Sequence, residues 1–271
     1  MNKPSCLFLL VFLALGLVAC EKEIDLDYHS VDELYVAEAC LTQSGTKVRI
    51  TTTQDMNDNN RNAHNVEGAT VVLSMDDEVL DTLRYTKNGY YTSNYKGIYP
   101  CTYTLDIYHN GHHFSSTSTM QQAPQMNSFR FVWKKVVTEK MLFADLKLQD
   151  IPGENNYYFM HIYRNGIGYR WAVMRDDTNP GAELQQLFSC TTERELDKDN
   201  DDALHDGDYI EVEVRSIDRR MYDYFYSMQV MDNSGSNPVT NFSGGCLGYF
   251  SAFNVQIRNY VFVRSDVEEE D

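Results

Sequence analysis

Short stretches of the chain alternate between apolar and polar residues, which is the pattern of strands with one buried face. The clearest case is 102–108, where Tyr103, Leu105 and Ile107 fall on the same face. Asn110-Gly111 follows at once and supplies the positive φ angles of a tight hairpin turn. We therefore predict antiparallel strands with one face in a core and the other in water.

Similar short strands separated by turns are predicted throughout residues 31–120, which indicates a β-sandwich domain. They cover residues 34–40, 48–53, 68–73, 79–85, 102–108 and 112–119. The polar segment 121–125, which contains Pro124, is typical of a short connection between domains.

The period of two returns beyond this connection and predicts a second, mainly antiparallel β domain over residues 126–263. Residues expected to point inward are Ala144, Leu146, Leu148, Ile210, Val212 and Val214, and, in a strand over 249–263, Phe253, Val255, Ile257, Val261 and Val263. Segment 157–164 is apolar or aromatic on both faces. It is expected to be either a central strand or a strand with an exposed aromatic face.

One segment of the second domain has helical spacing instead. Asp218 can cap a helix over residues 218–232, and apolar residues then recur three and four positions apart, at Met221, Tyr224, Phe225, Met228 and Met231. We expect this stripe to pack on the sheet. The acidic tail 264–271 is expected to be frayed. The predicted fold is mainly β, with two antiparallel β domains and one packed helix.

The N-terminus has the pattern of a lipoprotein signal peptide. Lys3 precedes an apolar run over 7–18 that is too short to span a bilayer. Leu17-Val18-Ala19-Cys20 then matches a lipobox, in which cleavage before the cysteine frees its thiol for a diacylglycerol. We expect residues 1–19 to be removed and Cys20 to be lipidated, so that acyl chains such as palmitate hold the protein to a membrane.

An acidic segment over residues 20–30 follows and is interpreted as a tether. It is either a solvated linker or an address, since acidic residues directly after a lipidated cysteine resemble the signal that sends Bacteroidota lipoproteins to the exterior of the outer membrane. The whole chain carries a net charge of -17, which argues against a nucleic-acid partner and favours a neutral or basic ligand. Its aromatic content of 13% exceeds that of disordered chains.

Cysteines outside the signal peptide and the lipobox predict disulfides. They are Cys40, Cys101, Cys190 and Cys246. An even number in an exported chain favours two bridges, and two separate domains favour the pairs Cys40–Cys101 and Cys190–Cys246. Buried free thiols are the alternative.

An acidic stretch has some features of a calcium site. Asp197, Asp199 and Asp201 alternate like the first ligands of an EF-hand loop, and Asp208 stands at the twelfth position. Asp202, however, occupies the position where that loop needs glycine. We therefore favour a solvated acidic loop without calcium.

Three histidines surround the Asn110-Gly111 turn. His109 and His112 face each other across the predicted hairpin, and His113 lies beside them. Because the sequence offers no third ligand nearby, we favour ordinary surface histidines over a metal site.

Signatures of catalysis are missing from the sequence, which contains no Gly-x-Ser-x-Gly elbow, no glycine-rich phosphate loop and no His-Glu-x-x-His. We expect no catalytic residues, no cofactor and no enzymatic activity. Asp81-Thr82-Leu83 resembles a motif that Bacteroidota O-glycosylate, whereas Asn241-Phe242-Ser243 would be glycosylated only in a eukaryotic secretory pathway.

Two resemblances refine this interpretation. The order of 66–73, 89–91 and 103–105 in the first domain resembles the Ig-like or prealbumin-like sandwich of carboxypeptidase-regulatory modules. Segments along the mature chain are similar to a large family of Bacteroidota outer-membrane lipoproteins, catalogued as a domain of unknown function (DUF4249-like). These segments cover residues 19–26, 68–71, 88–91, 103–105, 116–120, 152–158 and 248–252.

The family resemblance implies a role beside a TonB-dependent transporter, as an accessory or binding subunit in nutrient uptake at the cell exterior. It supplies no catalytic residues. A structural or adhesive surface protein is the alternative. For either role, the polar segments 55–65, 175–183 and 232–245 are the expected contact loops.

Overall fold

The computed structural model describes residues 33–54, 64–153, 156–176, 181–196, 202–230 and 237–270. It is mainly β, as predicted, and residues 33–271 form one compact unit. Within the described residues, no helix is long and apolar enough to cross a membrane. The lipobox, the acidic tether and Asp197, Asp199 and Asp201 lie outside the described residues.

The first sandwich packs a five-stranded sheet on a four-stranded one. In spatial order, the larger sheet contains β15 (Leu247–Ala252), β1 (Tyr35–Thr42), β2 (Gly45–Thr52), β6 (Tyr90–Ser93) and β5 (Arg84–Tyr85). The smaller sheet contains β4 (Glu78–Thr82), β3 (Thr70–Met75), β7 (Thr102–His109) and β8 (His112–Thr119). Tyr103, Leu105 and Ile107 lie in the core between them, as predicted.

The second sandwich is built from two four-stranded sheets. One contains β13 (Glu183–Thr192), β10 (Glu139–Gln149), β9 (Gln125–Val136) and β17 (Glu268–Glu270). The other contains β12 (Ile167–Arg175), β11 (Tyr157–Arg164), β14 (Tyr209–Ile217) and β16 (Asn254–Val261). The predicted inward residues of β10 and β14 form its core.

The strand expected over 249–263 is two strands in different sandwiches. β15 pairs in parallel with β1, so the first sandwich includes a strand from outside the predicted range 31–120. β16 pairs with β14, and its Ile257 and Val261 are 49% and 58% exposed instead of inward. The prediction failed because the chain changes sheets at Phe253, which interrupts the count of alternating faces.

The predicted helix is present. A short helix, α1 (Glu193–Leu196), precedes it, and α2 (Arg219–Val230) packs against β11, β12 and β15. Asp218 caps α2, because its Oδ1 accepts a hydrogen bond of 2.9 Å from the Met221 amide. Met221 and Phe225 are buried as expected, whereas Met228 is exposed and Met231 lies outside the described residues.

The acidic tail is ordered as a strand, so the expectation of fraying was wrong. After a 3₁₀ turn at Arg264–Asp266, β17 pairs in parallel with β9. Its three glutamates form ion pairs with Arg130, Lys134 and Lys140. Opposite charge on the neighbouring strands therefore holds a segment that its own composition would leave solvated.

All four cysteines are free thiols, so the predicted disulfides are not formed. Cys246 lies in the core of the first sandwich and Cys190 in the core of the second. Cys101 packs on the first core, whereas Cys40 faces the α2 side of β1. The members of each predicted pair thus lie in different clusters. The alternative of free thiols describes the structure, with Cys190 and Cys246 buried and Cys40 and Cys101 partly buried.

Candidate functional site

The outward side of the sheet β12-β11-β14-β16 is the surface with the richest chemistry, and we call it the aromatic face. It follows from the sequence of β11: Tyr158, Met160 and Ile162 enter the core, so Phe159 and His161 point the other way. β11 is an internal strand, as one interpretation of segment 157–164 predicted, and its aromatic outer side is buried or half-buried instead of exposed. The aromatic face comprises Phe159, His161, Tyr163, Trp171, Glu211, Glu213, Arg215, Ile257 and Asn259.

Helix α2 covers one end of the aromatic face and leaves the other open. Phe225 stacks on Phe159 with ring centroids 4.3 Å apart, and it also approaches Trp171 at 6.0 Å. Beyond the helix, Trp171 is 36% exposed and Ile257 is 49% exposed. The open end is therefore an apolar surface that water contacts.

Strand register places the open residues in rows across the sheet. Trp171 lies opposite His161, which lies opposite Glu213, which lies opposite Ile257. Because directly opposed residues share a face, the four side chains form a continuous line. In the next row, Glu211 lies between Tyr163 and Asn259.

A buried ion pair between Glu213 and Arg215 lies within the aromatic face and holds its side chains in place. Glu213 is 8% exposed and accepts hydrogen bonds from Arg215 Nε at 2.5 Å and from the Tyr163 hydroxyl at 3.2 Å. The Arg215 guanidinium lies over the rings of Phe159 and Phe253, 4.9 Å and 4.7 Å from their centroids. Both carboxylate oxygens of Glu213 therefore accept hydrogen bonds within the protein, and these bonds fix the side chains of Arg215 and Tyr163.

Burial sets the protonation of the two polar rings. It lowers the pKa of His161, against the opposing effect of Glu213, so the imidazole is neutral at pH 7. Burial also raises the pKa of Tyr163 to about 12, which keeps the phenol protonated. These rings can stack and exchange hydrogen bonds with a bound molecule without carrying charge.

Gly168 makes room for the imidazole. It lies opposite Tyr163 at an irregularity in the pairing of β11 with β12, and a Cβ atom at this position would lie 2.9 Å from His161 Nε2. A larger residue would displace the imidazole from its row.

The predicted histidine cluster is engaged in local contacts. His109 and His112 face each other as expected, and His109 Nδ1 lies 3.0 Å from the Tyr35 hydroxyl. His113 pairs with Asp106 at 2.8 Å. Among the described residues, no group of three metal-ligating side chains comes together.

Asp208, the twelfth position of the calcium-like stretch, has protein partners. Its oxygens accept hydrogen bonds from Arg164, Asn165 and the His205 amide. Despite the opposing effect of burial, these bonds lower the pKa of Asp208. The carboxylate holds the β11 turn next to the start of β14.

The expected contact loops lie partly outside the described residues, which omit 55–63, 177–180 and 231–236. In the described part of the third loop, Phe242 is buried and Asn241 hydrogen-bonds to Phe250 and Ser116. Asp81, in the other candidate glycosylation motif, accepts hydrogen bonds from Ser93 and Thr82. Asn241 and Asp81 are thus tied to neighbouring segments.

The residues that form the open end of the aromatic face were not predicted from the sequence, because Ile257 was assigned to the core. The signal that identifies it is the combination of β11, which is aromatic on both sides, with β16, two strands away in the same sheet, whose alternation is shifted by one residue.

No curated protein matches the chain in sequence. Residues 21–258 match the family described as a domain of unknown function (DUF4249), which covers most of the chain and agrees with the resemblance noted from its motifs. The chain therefore belongs to the DUF4249 family.

Proposed function

We propose that the protein is a lipid-anchored, non-enzymatic binding subunit at the exterior of the outer membrane, which assists a TonB-dependent transporter in nutrient uptake. The lipobox at Cys20 and the motifs shared with outer-membrane lipoproteins support the location and the partner. The aromatic face supports the task of binding.

The open end of the aromatic face is the observation on which the proposal depends. Trp171 and Ile257 are exposed on a rigid sheet, and Tyr163 is half-buried beside them. Tryptophan, tyrosine and other large apolar residues are enriched at the centres of protein interfaces. We assign this surface to a protein partner, the transporter, whose contact side is expected to be apolar with basic residues opposite Glu211.

A pull-down with a charge-substituted surface tests the proposal. Wild-type protein purified from outer membranes in mild detergent is expected to recover a TonB-dependent transporter. Ile257→Glu places a charge at the most exposed apolar position of the surface, so the recovered transporter should fall at least tenfold because a carboxylate would be desolvated there.

Ile98→Glu is the matched control, because Ile98 is an exposed isoleucine in the first sandwich, outside the aromatic face. This variant should recover the transporter like the wild type. If no transporter is recovered although both proteins are present in the cells, the uptake role is wrong. Loss of cell adhesion in Ile257→Glu would then favour the adhesive alternative.

A further inference from the structure

The free edge of β9 is a second surface with unusual chemistry. β10 pairs with β9 along its whole length on one side. On the other side, β17 pairs only with Val132, Trp133 and Lys134. Edge strands accept further strands through their backbone groups, and here the three-residue β17 occupies that place.

Basic side chains converge on this edge in a chain that is strongly acidic overall. Arg130 donates to Glu268 at 2.5 Å and also contacts Glu270, which Lys134 reaches at 2.6 Å. Glu268 and Glu270 alternate along the strand and share one side of it, whereas Glu269 points the other way.

The intervening glutamate meets a basic residue on its own side of the strand. Lys140 contacts Glu269 at 2.8 Å. Hydrogen bonds from Lys134 and Arg130 lower the pKa of Glu270, and the hydrogen bond to Glu269 raises the pKa of Lys140. The edge therefore recognises carboxylates on both sides of an extended strand.

A cavity of about 190 Å³, lined by aromatic, aliphatic and charged residues, lies beside the start of β17. Its lining includes the rings of Phe129, Phe131 and Tyr260, the basic residue Arg130, and the tail residues Asp266, Val267 and Glu268. Phe129 lies 5.2 Å from Phe131 and 4.9 Å from Tyr260, measured between ring centroids. Valine leaves space among these rings, so a larger apolar side chain would fit at this position.

The ion pairs that hold β17 are weakened by water and salt, whereas Val267 packs on the core of the second sandwich. The side chains of Glu268 and Glu269 are about two-thirds exposed, and ion pairs at such exposure are individually weak. The 3₁₀ turn Arg264–Asp266 connects β17 to β16. β17 can therefore leave the edge while the core of the second sandwich remains packed.

We propose that the β9 edge is a binding site for an acidic, extended segment of another polypeptide, and that β17 occupies this site within the chain. The segment adds as a parallel strand. It carries carboxylates at alternate positions and a bulky apolar residue directly before the first of them.

A labelled peptide with the sequence of residues 264–270 tests the site by fluorescence anisotropy on the full mature chain. The Glu268→Gln, Glu270→Gln double variant loosens β17 without changing its shape, so it should bind the peptide at least tenfold more tightly than wild type. A peptide with Val267→Phe should bind the double variant more tightly still, by about threefold or more, because the phenyl ring fills the cavity.

A charge exchange identifies the residues involved. Added to the double variant, Lys134→Glu should reduce binding at least tenfold, and a peptide with Glu270→Lys should restore part of it, because Arg130 also contacts position 270. Lys87→Glu is the control, because Lys87 is an exposed lysine of the first sandwich, away from the β9 edge. Equal binding to all variants, or no binding to any, would overturn the proposal.

Hydrogen exchange supplies a readout that does not depend on the peptide. Amides of the β9 edge that β17 protects in the wild type should exchange faster in the double variant, while amides between β9 and β10 remain protected. Unchanged protection of the β9 edge would show that β17 is not displaceable and would refute the site.

Discussion

Gly248 lies where two strands from opposite ends of the sequence pass closest to each other. It is opposite Ala37 in the parallel pair of β15 with β1, and its φ is +93°. A Cβ atom there would meet the Ala37 carbonyl oxygen at 2.1 Å. Gly111 also has a positive φ, of +81°, but an added Cβ atom at the hairpin turn would meet no atom within 4 Å.

We predict that Gly248→Ala lowers the free energy of unfolding by about 3 kcal/mol or more, since it combines backbone strain with a clash against main chain. Gly111→Ala carries only the strain of the left-handed conformation and should cost about 1 kcal/mol. Urea unfolding of the two variants measures both values. Equal losses would show that the approach of β15 to β1 is looser than the structure indicates.

The two glycines also show which conformational requirements of single residues can be predicted from the sequence. Asn110-Gly111 was identified as a turn because its requirement is local. The requirement at Gly248 arises from a strand more than 200 positions away, which no local pattern contains. The cysteines give the same lesson. Their even number suggested disulfides, but whether two of them lie close enough to pair depends on which core cluster each strand enters.

At the scale of elements, helix α2 is attached to the first sandwich through its cap. Asp218 Oδ1 accepts from the Met221 amide, and Asp218 Oδ2 accepts from the Ser118 hydroxyl and, at 3.1 Å, from the Thr119 amide. The Asp218 carboxylate thus joins the end of β8 to the start of α2 through hydrogen bonds. The cap was visible in the sequence, whereas the contact with β8 was not.

Asp218→Ala is predicted to lower the free energy of unfolding by about 2 kcal/mol or more, because it removes a helix cap and leaves two partly buried donors without an acceptor. Asp223→Ala is the control on the same helix. Asp223 makes an exposed ion pair with Arg219 at 3.8 Å, so its loss should cost less than about 0.5 kcal/mol. Thermal and urea unfolding compare the two, and similar losses would contradict the linking role of Asp218.

Most elements were predictable because alternation and helical spacing are local properties. β7, β10 and β14 were expected with the faces that they bury, β8 was expected as the return strand of its hairpin, and α2 was expected with Met221 and Phe225 packed inward. β15, β16 and β17 were not, since their positions depend on distant partners: a change of sheet at Phe253 and basic residues on β9 and β10. The aromatic face depends both on local alternation in β11 and on the pairing of distant strands, so only the contribution of β11 was predicted.

At the scale of the whole molecule, the two sandwiches share a boundary made of aromatic rings. Tyr249 of β15 packs against Tyr224 and Phe225 of α2, with ring centroids 5.0 Å and 5.8 Å apart. Phe225 in turn stacks on Phe159 of β11. The first sandwich, the helix and the aromatic face are therefore in continuous contact, which holds the open end of that face in a fixed orientation.

Such a fixed surface is useful to a transporter only if the protein stays at the membrane, and Cys20 is the residue expected to keep it there. Two acyl chains give stable anchoring where a single chain gives only marginal binding. Cys20→Ala should therefore move the protein out of the outer-membrane fraction and abolish incorporation of labelled palmitate.

Cys6→Ala, in the expected signal peptide, removes a cysteine without changing the lipobox and should behave like the wild type. If Cys20→Ala still sediments with outer membranes and carries palmitate, another residue is the anchor, and the accessory role then has to be built on a different attachment.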